Sequence, residues 1–238
     1  MTWAVTAEAE RFDEAAEWFR SKFPVTPAIA DRLGDYAGPR AWTVAGVAQL
    51  DVVLEVYASL VDAIENGTPF EEWQKGIEAK LTEAWGRRDS ARVQTIFRNA
   101  TSQAFNAGRW RQMNEPAIAA LRPYVQFDGI EDARQSDICR ERDGTIVPLG
   151  DPWLERNSPQ LHHRCRSQLR SLSQREALRR GVGKKHTTTE ASEGFGRPAT
   201  EADWKPDPAR YPRDLFDEYK LKRGELERQT RRARLDGK

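Results

Sequence analysis

The chain has 238 residues, enough for one large domain or two modest ones. Charged residues make up 32% and hydrophobic ones 38%, yet 8 Trp, 9 Phe and 5 Tyr are too many large apolar groups for a wholly disordered chain. No stretch nears the ~20 continuous apolar residues of a membrane helix. The start, Met1-Thr2-Trp3-Ala4-Val5, lacks the basic and apolar regions of a signal peptide, and two cysteines cannot make a disulfide scaffold. These features describe a soluble protein kept in a reducing compartment. Formal net charge is +1, unevenly placed: residues 166–238 hold 19 Lys/Arg against 12 Asp/Glu, and residues 1–165 hold 19 against 25. A basic tail on an acidic body suits phosphate or an acidic protein surface, although a merely solubilising tail has the same composition.

In chain order, Ala7 to Lys22 reads as a helix with Phe12, Ala15, Ala16 and Phe19 on one face, stopped by Pro24. Thr26-Pro27 opens a short helix ending near Gly34. Val44 to Asn66 carries the clearest stripe, with Val47, Leu50, Leu54, Tyr57, Val61 and Ile64 at spacings of three and four, and Gly67 stands where a left-handed cap belongs. Thr68-Pro69-Phe70-Glu71 reads as a capping box opening a helix to about Trp85. Asp89 or Ser90 caps another, Ala91 to Met113, whose Ala100, Ala104, Ala107 and Gly108 permit close packing. Arg98, Asn99, Asn106 and Arg109 lie along this helix; a solvated face is the default for them, with contact to the following module the alternative.

The texture changes at Pro116. Residues 123–127 and 145–147 are strand candidates, the second following the turn Asp143-Gly144. Residues 181–211, punctuated by Gly, Pro, Thr, Lys and Glu, read as a linker or loosely held arm, and 212–235 as a last helix with Arg228, Arg231, Arg232 and Arg234 near its end. The expected fold class is α+β, mainly α: a helical bundle-like domain over 1–115, a small α+β Cys/His module over 116–172, and a basic linker and C-terminal arm over 173–238. The module's core would be thin, which favours a metal or docking onto the helical part.

All but one of the soft metal-capable residues fall in a short window: Cys139, then His162, His163 and Cys165. Two Cys and His162 form a usable zinc set, with Asp132 or His163 as a fourth ligand. The spacing is poorer than a zinc finger's, because Cys139 has no partner two to four residues away. The alternative is a pair of buried thiols and a hydrogen-bonded His that fix loop geometry, and the spacing leans towards it. A catalytic Cys–His pair would need an orienting third group, and no phosphate loop, HExxH, GxSxG or deaminase pattern occurs. The Trp residues are scattered and read as core anchors.

The order Thr101, Asn106-Ala107-Gly108-Arg109, Asp132-x-Arg134, Cys139, Asp143-Gly144 and Pro159-x-Leu161-His162-x-x-Cys165-Arg166-Ser167 resembles the phage Mu F-like minor head protein family, also called the phage head morphogenesis family. Residues 19–24 and 41–46 are similar to the helical segment preceding that module, so the likeness covers about 15–170. Gln135 departs from the Thr expected after Asp-x-Arg, and Gln160 from the usual Pro before Leu-His. Asp132, Cys139, His162, Cys165 and Arg166 are the motif positions carried over. The resemblance implies a minor capsid protein of a tailed phage, in or on the head near the portal, aiding head assembly, DNA packaging or DNA delivery. It implies portal or major capsid protein and packaged double-stranded DNA as partners, no membrane, no enzymatic activity, and location in the virion after assembly in the host cytoplasm. The basic arm (Arg228, Arg231, Arg232, Arg234) would meet DNA without sequence preference. The competing expectation is a metal-dependent nuclease or toxin-like hydrolase built on the Cys/His module, which the soft donor set disfavours because such enzymes hold Mg or Mn with carboxylates.

Overall fold

A computed structural model describes residues 12–31 and 41–198, and five positions beyond (213, 217, 221, 224 and 228), each helical. The fold is α+β and mainly α, as the sequence implies. The described residues divide into two compact units, one drawn from 12–19, 64–67 and 94–198, the other from 20–31, 41–63, 68–93 and the five later positions.

Helix α1 spans Asp13–Ser21, with the Phe12 carbonyl accepting from the Ala15 and Ala16 amides and Asp13 and Glu14 in the first turn; the expected start at Ala7 lies outside the described residues. Strand β1 (Phe23–Pro24) pairs in parallel with β2 (Ala41–Trp42), a two-residue contact that no sequence pattern announces. Between them, residues 27–31 (α2) are helical, with the Thr26 hydroxyl accepting from the Ile29 amide; the expected end near Gly34 lies outside the described residues. Helix α3 spans Leu50–Asn66 and does not begin at Val44. Gly46, at φ 72°, turns the chain before it, while Val44 and Val47 are buried in that turn.

Gly67 adopts the expected left-handed cap, and the Thr68 amide reaches back to the Ala63 carbonyl at 2.9 Å. Thr68 thus completes the end of α3. It does not form the expected capping box on α4 (Phe70–Trp85), whose N-cap is Pro69 without a side-chain bond. Glu78 on α4 receives the Arg88 guanidinium and the Ser90 hydroxyl, and Asp89, through its bond from the Arg92 amide, caps α5 (Ser90–Asn114). The small-residue stripe on α5 has a clear consequence: a Cβ on Gly108 would lie 2.8 Å from the Ala15 nitrogen and from the Phe12 ring. Phe12 also stacks on Phe105 at 5.5 Å.

The module is built on a three-stranded antiparallel sheet in the order β4-β3-β5. Central β3 (Tyr124–Asp128) alternates, burying Val125 and Phe127; β4 is Ile146–Pro148 and β5 is Gln168–Leu172. Around it run α6 (Pro116–Leu121), α7 (Asp137–Arg142), α8 (Leu154–Asn157) and α9 (Gln174–Arg180), the last opened by a complete Ser173/Glu176 capping box. The core comprises Met113, Val125, Phe127, Cys139, Val147, Leu154, Leu161, Cys165 and Leu169.

Residues 183–196 are not the loose linker that their composition suggests. Gly183 exchanges both backbone bonds with Ile146, the Ser192 amide donates to the Leu161 carbonyl, and the Gly196 amide to Gln160. The buried Arg142 guanidinium donates to the carbonyls of Ile138 and Thr189 and to the Asn157 side chain. The Glu141 carboxylate accepts from the amides and hydroxyls of both Thr188 and Thr189, at 2.5–2.9 Å. Backbone bonds made by residues of low apolar content hold this strap, which is why composition alone misreads it.

Those bonds, the Thr188 hydroxyl foremost, lower the Glu141 pKa to about 2. A carboxylate depressed in the fold contributes stability above its ordinary pKa and loses it as pH falls through the lowered value. The Thr188 and Thr189 amides should therefore keep their hydrogen-exchange protection from neutrality to about pH 5 and lose it progressively towards pH 2. In Glu141→Gln, protection at neutral pH should already be reduced and its acid dependence gone.

Candidate metal centre

Two short segments meet in the module's core. Helix α7 supplies Cys139 from its first turn, and Ser136 caps that helix by accepting from the Cys139 amide at 3.3 Å. The loop entering β5 supplies His162 and Cys165. The ligand atoms of Cys139, His162 and Cys165 all lie within 4.8 Å of one another. The two sulfurs are 3.6 Å apart, and Cys139 Sγ is 3.3 Å from His162 Nε2. Both cysteines are reduced and buried.

The tautomer of His162 follows from its neighbours. Its Nδ1 is 2.7 Å from the His163 carbonyl, an acceptor, so Nδ1 carries the proton and Nε2 presents a lone pair towards Cys139. The Ser136 hydroxyl lies 2.8 Å from the same Nε2. The thiols behave as a pair. The Cys165 S–H donates to Cys139, lowering the Cys139 pKa, aided by Ser136, Ser167 and His162 and opposed by burial. The same bond, with burial, raises that of Cys165.

Helix α5 fixes the loop from the other side. The Asn99 side chain accepts from the Arg164 amide at 2.8 Å and donates to His163 Nδ1 at 2.7 Å. The Ser102 hydroxyl donates to the Cys165 carbonyl at 3.1 Å, Asn106 to the Ser167 carbonyl at 3.4 Å, and Arg109 to the Gln168 side chain. Asn99, Asn106 and Arg109 therefore face the module, and only Arg98 keeps the solvated position expected for all four. Arg164 adopts a left-handed φ of 59°, a conformation held by the two bonds to Asn99 and Thr95.

Of the residues singled out in the sequence, Cys139, His162 and Cys165 come together and Asp132 does not join them. Both Asp132 oxygens receive the Arg166 guanidinium at 2.6 and 2.7 Å, which holds its carboxyl well below the ordinary range. His163 faces Asn99 and sets its ring edge-on to Phe195. Arg228 is helical and exposed, while Arg231, Arg232 and Arg234 lie outside the described residues. Ser136, Ser102 and Gln135 were missed as supporting groups. The Gln135 amide donates to Asp143, whose other oxygen accepts from the Gly129 amide, so this departure from the family pattern braces the turn before β4. Ser136, three residues before Cys139, was findable as a helix cap.

Residues 55–170 match the family described as Phage Mu protein F like protein. This stretch is similar to that family. The resemblance drawn from the motifs is thereby borne out. The chain is 26% identical over 178 residues to the putative capsid assembly protein F of Escherichia phage Mu, covering 67% of this chain and 40% of that protein. It is 27% identical over 159 residues to the Mu-like prophage FluMu F protein of Haemophilus influenzae, covering 61% of this chain and 38% of that one. The chain thus spans about two-fifths of the length of these Mu F-like relatives. No solved structure gives a significant match.

If Asn99 fastens the 161–167 loop, Asn99→Ala should lower unfolding stability by about 1–3 kcal/mol, because it leaves the Arg164 amide and the His163 ring without their partner. Urea denaturation against an Arg98→Ala control, which should change stability by less than about 0.5 kcal/mol, measures this.

Proposed function

We propose that this protein is a minor component of a tailed-phage head, placed near the portal and serving head assembly, DNA packaging or DNA delivery without making or breaking covalent bonds. The match over residues 55–170 to a family whose phage Mu member is named for capsid assembly carries this reading. The described residues contain no helix long and apolar enough to cross a membrane. The partners would be portal or major capsid protein and packaged double-stranded DNA, and the protein would reside in the virion after assembly in the host cytoplasm. The basic arm, with Arg228 exposed on a helical position, would contact phosphate.

The residues at the site fit zinc. A tetrahedral zinc with bonds of about 2.3 Å to sulfur and 2.0–2.1 Å to nitrogen sets its donors roughly 3.5–3.8 Å apart. The observed 3.6 and 3.3 Å separations lie close to this, His162 presents its unprotonated nitrogen, and its other nitrogen is oriented by a carbonyl. Cys139, His162 and Cys165 would hold the ion as a structural staple. With Asp132 held by Arg166, no carboxylate joins the set among the described residues, and this soft donor set disfavours the nuclease or hydrolase alternative, which needs hard oxygen ligands.

Two measurements test these statements. Deleting the gene from the producing phage should leave few DNA-filled infectious heads, and the protein should be found in purified wild-type particles; normal yields of infectious particles would refute the assembly role. Purified protein should carry one equivalent of zinc, lost in His162→Ala and Cys139→Ser together with a drop in melting temperature. Metal-free protein with an unchanged melting temperature on adding zinc would leave the thiols as plain core residues.

A further inference from the structure

Helix α5 and the segment 164–168 enclose a groove of about 280 Å³ on the module, lined by four arginines (Arg98, Arg109, Arg164, Arg166) and by no carboxylate. On α5 the lining residues Arg98, Thr101, Ser102, Phe105 and Arg109 recur at intervals of three and four, so they run along one helix face. Eleven residues separate Arg98 from Arg109, about 16 Å along the axis. The facing wall contributes Arg164 and Arg166. Thr101 donates to the Phe97 carbonyl and Ser102 to the Cys165 carbonyl, so the hydroxyls brace the floor and the guanidiniums supply the donors. Arg166 is paired with Asp132; Arg109 rests on the neutral Gln168 side chain, and Arg98 is exposed. Phe105, 39% exposed, sits between the cationic ends of the groove.

We propose that this groove binds the phosphodiester backbone of a nucleic acid, as a contact separate from the basic C-terminal arm. Guanidinium groups spread along both walls match a ligand whose charges repeat along a line, and planar guanidinium forks suit phosphate oxygens. Phe105 stacks on Phe12 with one face and keeps the rest of its ring partly exposed at the groove, an apolar surface against which a base or sugar can rest, a feature that favours nucleic acid over an acidic peptide. The contact needs no base-edge readout, so it is sequence-tolerant and weakens with salt.

The test uses full-length protein and a fluorescein-labelled 12-nucleotide oligodeoxynucleotide, single-stranded in one arm and as the duplex in the other, read by anisotropy over a salt series. Arg98→Glu combined with Arg109→Gln should weaken binding of at least one probe about tenfold at low salt and flatten the salt dependence by about one to two phosphate contacts. The melting temperature checks that the variant is folded, and Arg98→Glu alone, at a position with no described partner, should still weaken binding if the double variant unfolds. Full-length protein with Arg228, Arg231, Arg232 and Arg234 all changed to Ala should retain binding that Arg98→Glu still reduces. Affinity unchanged by Arg98→Glu in both the native and arm-substituted backgrounds overturns the proposal. So does polyglutamate displacing the oligonucleotide at equal charge concentration, which would mark the groove as a seat for an acidic protein surface.

Discussion

A small sheet with its polar centre inside its own core is the constraint on which this module depends. Cys139 and Cys165 belong to the same buried cluster as Val125, Phe127, Leu161 and Leu169, so the donor set cannot move without disturbing the packing over β3. Burying two thiols, and half-burying an imidazole beside them, without partners would cost free energy. Here the sulfurs face each other and His162, His162 is held by a carbonyl, and Ser136 closes the group from the helix end. The polar centre and the apolar core are one construction, and a metal at this point would stabilise both together.

A core of this size leaves its flanks to polar bonds. The strap at 183–196 illustrates how: Glu141 gathers four donors from two adjacent threonines, and Arg142, its neighbour on α7, reaches carbonyls on both sides. A helix of six residues thereby presents Cys139 to the donor set, Glu141 to one run of the strap and Arg142 to the interior. The three roles fall within one turn of α7 because the helix points these side chains towards different neighbours.

The helical part of the fold was legible because its signals are local. Periodicity located α3, the start signals at 68–71 and 89–90 located α4 and α5, and Gly67 marked a true left-handed cap. The errors share a cause in competition between neighbours. Thr68 resembles the first residue of a capping box but is taken by the end of the preceding helix, and Gly46 interrupts a stripe that otherwise extends unbroken to Val44. Strand β5 and the strap were missed because their partners are distant in sequence and their own composition is polar. At the site, soft residue types were enough to single out Cys139, His162 and Cys165. A carboxylate's role depends on its nearest cation, and nothing local reveals that Arg166, 34 positions away, takes up Asp132.

The loop entering β5 links the two surfaces of the module. Along 164–166, exposed Arg164, buried Cys165 and half-buried Arg166 alternate, so one backbone places a donor in the centre and arginines on the groove wall. The left-handed turn at Arg164 and the Asn99 bonds set that alternation, and they arise from α5, the helix that forms the groove's other wall. Fixing Cys165 therefore fixes the spacing of the arginines across the groove. The buried donor set and the arginine-lined groove therefore need no separate structural elements: helix α5 and the loop entering β5 position both.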